Sequence, residues 1–220
     1  MFRDRTDAGK QLLERMPTLD AAEVVVEALP RGGVPVAEVV AEGLGAPLDI
    51  VMVRKVGLPG QRELALAAVT NGADPVLTVN EHVSRSAGLN IDRIWELAEP
   101  ELREIARRRE LYLGGRPAIP IKGKAVIVVD DGIATGATMR ASLRHVRARG
   151  PARLILAVPV SPADTLAELS AMVDEVVCLE TPRPFHAVGV HYTSFEQVSD
   201  AAVKSALARA SNRMSKKTEG

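Results

Sequence analysis

Six runs of β-branched and aliphatic residues punctuate the chain: EVVVEAL (23–29), LDIVMVRKV (48–56), LALAAVT (64–70), KAVIVVD (124–130), RLILAVPV (153–160) and EVVCLE (175–180). Runs this continuous suit strands covered on both faces, whereas a half-exposed strand would alternate apolar and polar residues. Between them the spacing changes to three or four. Leu12, Leu13 and Met16 mark a helix over Thr6–Met16, with Thr6 or Asp7 placed to cap it. Val36, Val39 and Val40 mark another over Pro35–Gly43, and further helices are expected over Ala137–Arg149, Pro162–Met172 and Ser194–Ala210. Strands alternating with helices define an α/β domain, a mostly parallel central sheet flanked by helices.

The segment 81–115 has helical spacing throughout, from Ile91, Ile94, Trp95 and Ala98 to Leu102, Ile105 and Ala106. Pro100 cannot donate a backbone hydrogen bond, so the spacing predicts two helical pieces with the second starting there. One domain is expected over 1–211, followed by a disordered polar tail at 212–220.

Composition narrows the class. At 220 residues the chain supports a sizeable single core, because buried surface reaches roughly 70% above about 150 residues. The 28 basic side chains balance 28 acidic ones, which disfavours a dedicated nucleic-acid binder. Cys178 alone forms neither a disulfide nor a thiolate metal site. The opening MFRDRTDAGK mixes charges where a signal peptide needs an apolar stretch, and no apolar run approaches the ~20 residues that span a bilayer. A cytoplasmic location without membrane partners is the expectation.

Chemistry concentrates in AVIVVDDGIATGATMRAS, residues 125–142. A strand ends in Asp130 and Asp131, then turns through glycines and threonines into a helix. Unpartnered amides and the helix dipole make such a turn a site for an anion. Gly136 permits close approach of the backbone, while the hydroxyls of Thr135 and Thr138 can donate to phosphate oxygens. Carboxylates beside a phosphate cradle need a neutral partner. The hydroxyls of a ribose fit, with Asp130 and Asp131 accepting from the 2′-OH and 3′-OH. No GxxxxGK[ST], GxGxxG or GxSxG occurs.

VIVVDDGIATGAT resembles the 5-phosphoribosyl-1-pyrophosphate (PRPP) binding motif of type I phosphoribosyltransferases. The resemblance implies that fold and assigns Asp130 and Asp131 to the ribose and the catalytic centre. It assigns Ala134, Thr135, Gly136, Ala137 and Thr138 to the 5′-phosphate. It places a pyrophosphate loop at ALPRGGVPVA (28–37), with Arg31, Gly32 and Gly33 as contacts, and a mobile covering loop at 54–63, where Arg54, Lys55 and Arg62 are candidates for the phosphates. Phe185, His186 and Tyr192, in the non-periodic stretch 181–193, are the candidate acceptor contacts, an aromatic there being able to stack on a planar base. Ordinary packing explains them equally well.

The activity implied is transfer of the 5-phosphoribosyl group from PRPP to a nitrogenous acceptor, usually a base in the family, with release of pyrophosphate. Mg²⁺ would be held mainly by substrate oxygens, without a dedicated protein ligand set. Family members often pair, so a homodimer is expected. The segment 81–115 and the C-terminal region depart from the compact salvage enzymes, as a helical insertion and a hood-like segment. The alternative is a PRPP-sensing regulatory or nucleic-acid-binding protein without turnover, to whose surface Arg107, Arg108 and Arg109 could contribute. Otherwise that charge run reads as a solvated helix face.

Overall fold

The computed structural model describes residues 1–70 and 75–218, less the side chains of 62, 63, 217 and 218. Five parallel strands form the central sheet: β1 (Val24–Ala28), β2 (Leu48–Ile50), β6 (Ala125–Val129), β7 (Arg153–Val160) and β8 (Glu175–Glu180), in the order β2-β1-β6-β7-β8. The strand period sorts their side chains onto two faces. Val24, Val26 and Ala28 face a core shared with Leu12, Val36 and Val40, whereas Val25 joins Val126, Val128, Leu154 and Leu156 against Met139 and Leu143. The first face is covered by α1 (Arg5–Glu14) and α2 (Gly33–Leu44), the second by α5 (Ala137–Ala148) and α6 (Ala163–Ser170).

The run 48–56 is not one strand. After β2 the chain leaves the main sheet, and β3 (Val53–Leu58), β4 (Gln61–Thr70) and β5 (Leu77–Val79) form a separate antiparallel sheet. Val53 pairs with Thr70 and Lys55 with Ala68. Continuous apolar character cannot reveal a change of sheet, because both sheets bury such residues. The expected covering loop at 54–63 is therefore a β-hairpin, with Pro59 and Gly60 at its tip.

The segment 81–115 does form two helices, α3 (Glu81–Ser86) and α4 (Ile91–Leu113), but the break precedes Asn90 and Pro100 lies inside α4. Asn90 accepts from the Arg93 amide at 2.9 Å and starts the second helix. Pro100 and Glu96 are exposed, so solvent can donate to the carbonyl that proline leaves unpaired. At the N-terminus the cap is Asp4, which accepts from the Asp7 amide, rather than Thr6 or Asp7 itself. The C-terminal helix α7 (Asp200–Thr218) takes in residues 212–218 of the expected disordered tail, whose last two residues lie outside the described ones. Val203, Ala206, Leu207 and Ala210 are buried in the core beside α2 and α4, and that packing supports the polar turns beyond.

A buried ionic cluster ties α4 and the end of α5 to the sheet. Glu27 and Asp49 face each other across β1 and β2. Arg149 donates to Glu27 at 2.6 Å, and Asp49 accepts from the Ile119 amide at 2.9 Å, with Arg109 at 3.5 Å. Arg107 and Arg108 pair with Glu104 on the surface as expected, but Arg109 turns inward.

Candidate functional site

The C-terminal ends of β1 and β6 lie side by side in the sheet, so the loops that follow them meet. Leu29 donates its amide to the Val129 carbonyl at 2.9 Å. The two glycines of the first loop are required by this contact. A Cβ on Gly32 would lie 2.0 Å from Asp131 Oδ2, and one on Gly33 would lie 2.7 Å from the Val129 carbonyl. The peptide bond between Pro30 and Arg31 is cis. The resemblance assigns these glycines to pyrophosphate, and their close contacts are a packing reason for them.

The second loop borders a cavity of 160 Å³ lined by Asp130, Gly132 and residues 133–139. The Ile133 amide donates to the Val160 carbonyl at 2.9 Å, and Thr165 Oγ1 donates to the Ala134 carbonyl at 3.2 Å. Gly136 caps α5 with φ +73°, a conformation that L side chains rarely adopt. Ala134, Thr135, Ala137 and Thr138 are exposed, and among the described residues neither threonine hydroxyl has a hydrogen-bond partner. First-turn amides of α5 lack intrahelical acceptors, so the cavity offers donors to an anion.

The paired carboxylates diverge. Asp130 faces that cavity, and its Oδ1 accepts from the Asp131 amide at 2.8 Å. Burial and the neighbouring Asp131 charge push its carboxyl well above the usual range. Asp131 instead accepts through Oδ2 from Arg5 Nε at 2.8 Å, a pair whose side chains are 12% and 14% exposed. Arg5 also donates to the Glu196 carbonyl at 2.8 Å and lies 3.9 Å above the Phe195 ring. Nothing in the sequence around Arg5 marks it, since its partners stand 126 and 191 positions away.

Other expected contacts are placed differently. Tyr192 does not offer a stacking face: it is 6% exposed, packs between Phe2 and Phe195, and donates its hydroxyl to the Asp131 carbonyl at 2.6 Å. Phe185 stacks on His191 at 5.7 Å, while His186 is exposed. Arg31, in the loop after β1, has Asp200 at 3.6 Å, an acid that also accepts from the Tyr112 hydroxyl at 2.5 Å. Arg54 turns away from the phosphate loop to Glu101 at 2.7 Å, in an 830 Å³ cleft between the hairpin and α4. Lys55 lines that cleft and also a 430 Å³ pocket that reaches Ala137 and Thr138. The side chain of Arg62 lies outside the described residues.

Among the described residues no three His, Cys, Asp or Glu side chains are grouped to hold a metal ion. The acidic oxygens of Asp130 and Asp131 suit a hard cation that keeps most of its shell as water and substrate oxygens.

A parallel sheet with adjoining β1 and β6 loops and a phosphate-sized cradle is the arrangement of a phosphoribosyltransferase. The family model for the phosphoribosyl transferase domain matches residues 6–194, so the chain belongs to that family and has the type I fold. Two Mycobacterium tuberculosis proteins, each named "putative phosphoribosyl transferase", are 47% identical over 210 residues, 96% of this chain and 47% of theirs. The chain thus spans about half the length of the curated relatives it matches. The crystal structure of TT1426 from Thermus thermophilus is 42% identical, with a TM-score of 0.82 over 94% of this chain and 98% of that one. AQ2163 of Aquifex aeolicus shares the fold at 11% identity, with a TM-score of 0.50 over 92% of this chain and 84% of that one.

Proposed function

We propose that the chain transfers the 5-phosphoribosyl group of PRPP to a nitrogen of a base-like acceptor. The observation that carries this reading is the contact between the two donor loops: Gly32 and Gly33 press against Asp131 and Asp130 at the mouth of the 132–139 cavity. A phosphate cradle, a carboxylate and a glycine loop then lie within one donor's reach. The amides and hydroxyls of residues 134–138 would hold the 5′-phosphate, Asp130 and Asp131 the ribose hydroxyls, and Arg31 with Gly32 and Gly33 the pyrophosphate. Holding both ends of the donor orients the scissile bond.

The acceptor nitrogen gives its electron pair to the anomeric carbon, the bond from that carbon to pyrophosphate breaks, and the leaving oxygen keeps its electrons. Positive charge builds on the ribose as the bond loosens, as in other glycosyl transfers, and the acidic pair lies on that side. The acceptor's proton is lost to solvent. Asp130 and Asp131 would be the residues to help hold a Mg²⁺ brought by the substrate, and that ion would supply charge neutralisation of the leaving group. Tyr192 is better placed to hold the Asp131 backbone than to touch an acceptor. Phe185 and His186 remain the acceptor candidates, and Lys55 is a cationic hairpin residue that shares a pocket with Ala137 and Thr138.

The test is pyrophosphate release with PRPP, Mg²⁺ and a panel of nucleobases. Release dependent on one acceptor, and abolished by Asp130→Asn with Asp131→Asn in a folded protein, is the expected result. Saturable PRPP binding with no release from any acceptor would favour a donor sensor, and failure to bind PRPP would overturn both readings. Pairing of two copies is expected in sedimentation, and a monomer at all concentrations would refute it. No helix among the described residues is long and apolar enough to cross a membrane.

A further inference from the structure

We propose that Arg5 is a positioning residue of the donor site, pinning one oxygen of Asp131 so that the remaining carboxylate oxygens are set toward the ribose. This rests on the donor reading given above. Arg5 spends its fork on fixed partners. Nε holds Asp131 Oδ2 at 2.8 Å, Nη1 holds the Glu196 carbonyl at 2.8 Å, and the guanidinium plane lies over Phe195 at 3.9 Å. Arg5 of α1 thus holds the carboxylate and is itself held by the Glu196 carbonyl and the Phe195 ring, while Tyr192 holds the Asp131 backbone carbonyl.

Among the described residues Asp131 Oδ1 has no hydrogen-bond partner, so it stays available to a ribose hydroxyl while Oδ2 is held. A planar, weakly hydrated guanidinium suits this buried place, where an ammonium would satisfy one acceptor and not the fork.

Removing Arg5 leaves Asp131 Oδ2 without its partner, so that among the described residues no side chain holds the carboxylate in one orientation.

The experiment is calorimetric titration of PRPP with Mg²⁺, using wild type, Arg5→Gln, Asp131→Asn and the double variant, each first shown folded by circular dichroism. Arg5→Gln is expected to weaken donor binding roughly tenfold or more. In the Asp131→Asn background the same change should cost little further, because Arg5 acts through Asp131. Arg5→Lys should restore part of the affinity, since an ammonium can still hold one carboxylate oxygen. If Arg5→Gln does not fold, Arg5→Lys takes its place in the cycle, and the coupling to Asp131→Asn is read from it. Equal losses in both backgrounds would make Arg5 a purely structural clamp. Absence of PRPP binding by wild type would instead overturn the donor reading itself.

Discussion

Two adjacent glycines press on different kinds of neighbour at the scale of single residues. A Cβ on Gly32 collides with the Asp131 carboxylate, which can move aside only by leaving Arg5, whereas one on Gly33 collides with the Val129 carbonyl and the Asp130 Cα, which cannot move without the sheet. Gly32→Ala is therefore expected to lower donor affinity about tenfold and to lose what the Arg5–Asp131 pair contributes to stability. Gly33→Ala is expected to cost about 1–3 kcal/mol in urea denaturation, as overpacking against backbone does. An unfolding midpoint unchanged in Gly32→Ala would show that the carboxylate shifts without leaving Arg5, and wild-type stability of Gly33→Ala would contradict the backbone clash. The strand end at Asp130, the turn and the start of α5 were legible in the sequence because they are built from neighbouring residues. The direction each aspartate takes was not, since it depends on Arg5 and Tyr192, which reach Asp131 from distant segments. For the same reason Tyr192 read as a ligand face: an aromatic in a non-periodic loop carries no mark of the Phe2 and Phe195 rings that enclose it.

Strands β7 and β8 coincide with the apolar runs that announce them, because each run is bounded by polar or turn residues and stays within one sheet. The hairpin and the unbroken α4 were hidden, since periodicity records neither a change of sheet nor the solvation that rescues an exposed proline turn. Also hidden was the ionic cluster joining β1, β2, α4 and α5, and its titration yields a prediction. Burial, opposed by Arg149 and reinforced by Asp49, pushes Glu27 up to about 7. A raised folded-state acid holds its proton more tightly than the unfolded chain, so its contribution to stability falls as pH climbs from the ordinary carboxylate range through 7. His145 is pushed down to about 4 by burial and by Arg149 and Arg109, with its Nδ1 2.9 Å from Thr70 Oγ1. A lowered histidine contributes stability above the ordinary imidazole range and loses it as pH falls toward 4. The opposing slopes overlap in mildly acidic solution and largely cancel. Glu27→Gln removes one of them. Urea denaturation of that variant should show stability rising by on the order of 2–3 kcal/mol from about pH 4 to 6.5 and then levelling, against a flatter wild-type profile. The unpaired Arg149 lowers the whole curve without changing its shape. A variant profile parallel to wild type would show that Glu27 does not titrate in this range.

At the scale of the whole molecule, the elements added to the parallel sheet converge on the donor loops from one side. Asp200 begins α7, Tyr112 lies near the end of α4, and their hydrogen bond is met by Arg31 from the loop after β1. This contact links the segment 81–115 and the C-terminal helix to the residue expected to hold pyrophosphate, so covering elements and leaving group compete for one guanidinium. The competition is mild. Arg31 and Asp200 are 3.6 Å apart with side chains 32% and 51% exposed, and exposed pairs contribute at most about 1 kcal/mol. Relieving it should show in binding more than in folding. Asp200→Asn keeps an acceptor for the Tyr112 hydroxyl while removing the charge, so it is expected to tighten binding of inorganic pyrophosphate with Mg²⁺ by roughly two- to fivefold. Its melting temperature should change little. Calorimetry at two salt concentrations reads the effect, which should shrink as salt screens the pair. Equal or weaker affinity for pyrophosphate would mean that Arg31 is held by the cover and does not turn to the donor, leaving the glycine amides alone to receive the leaving group.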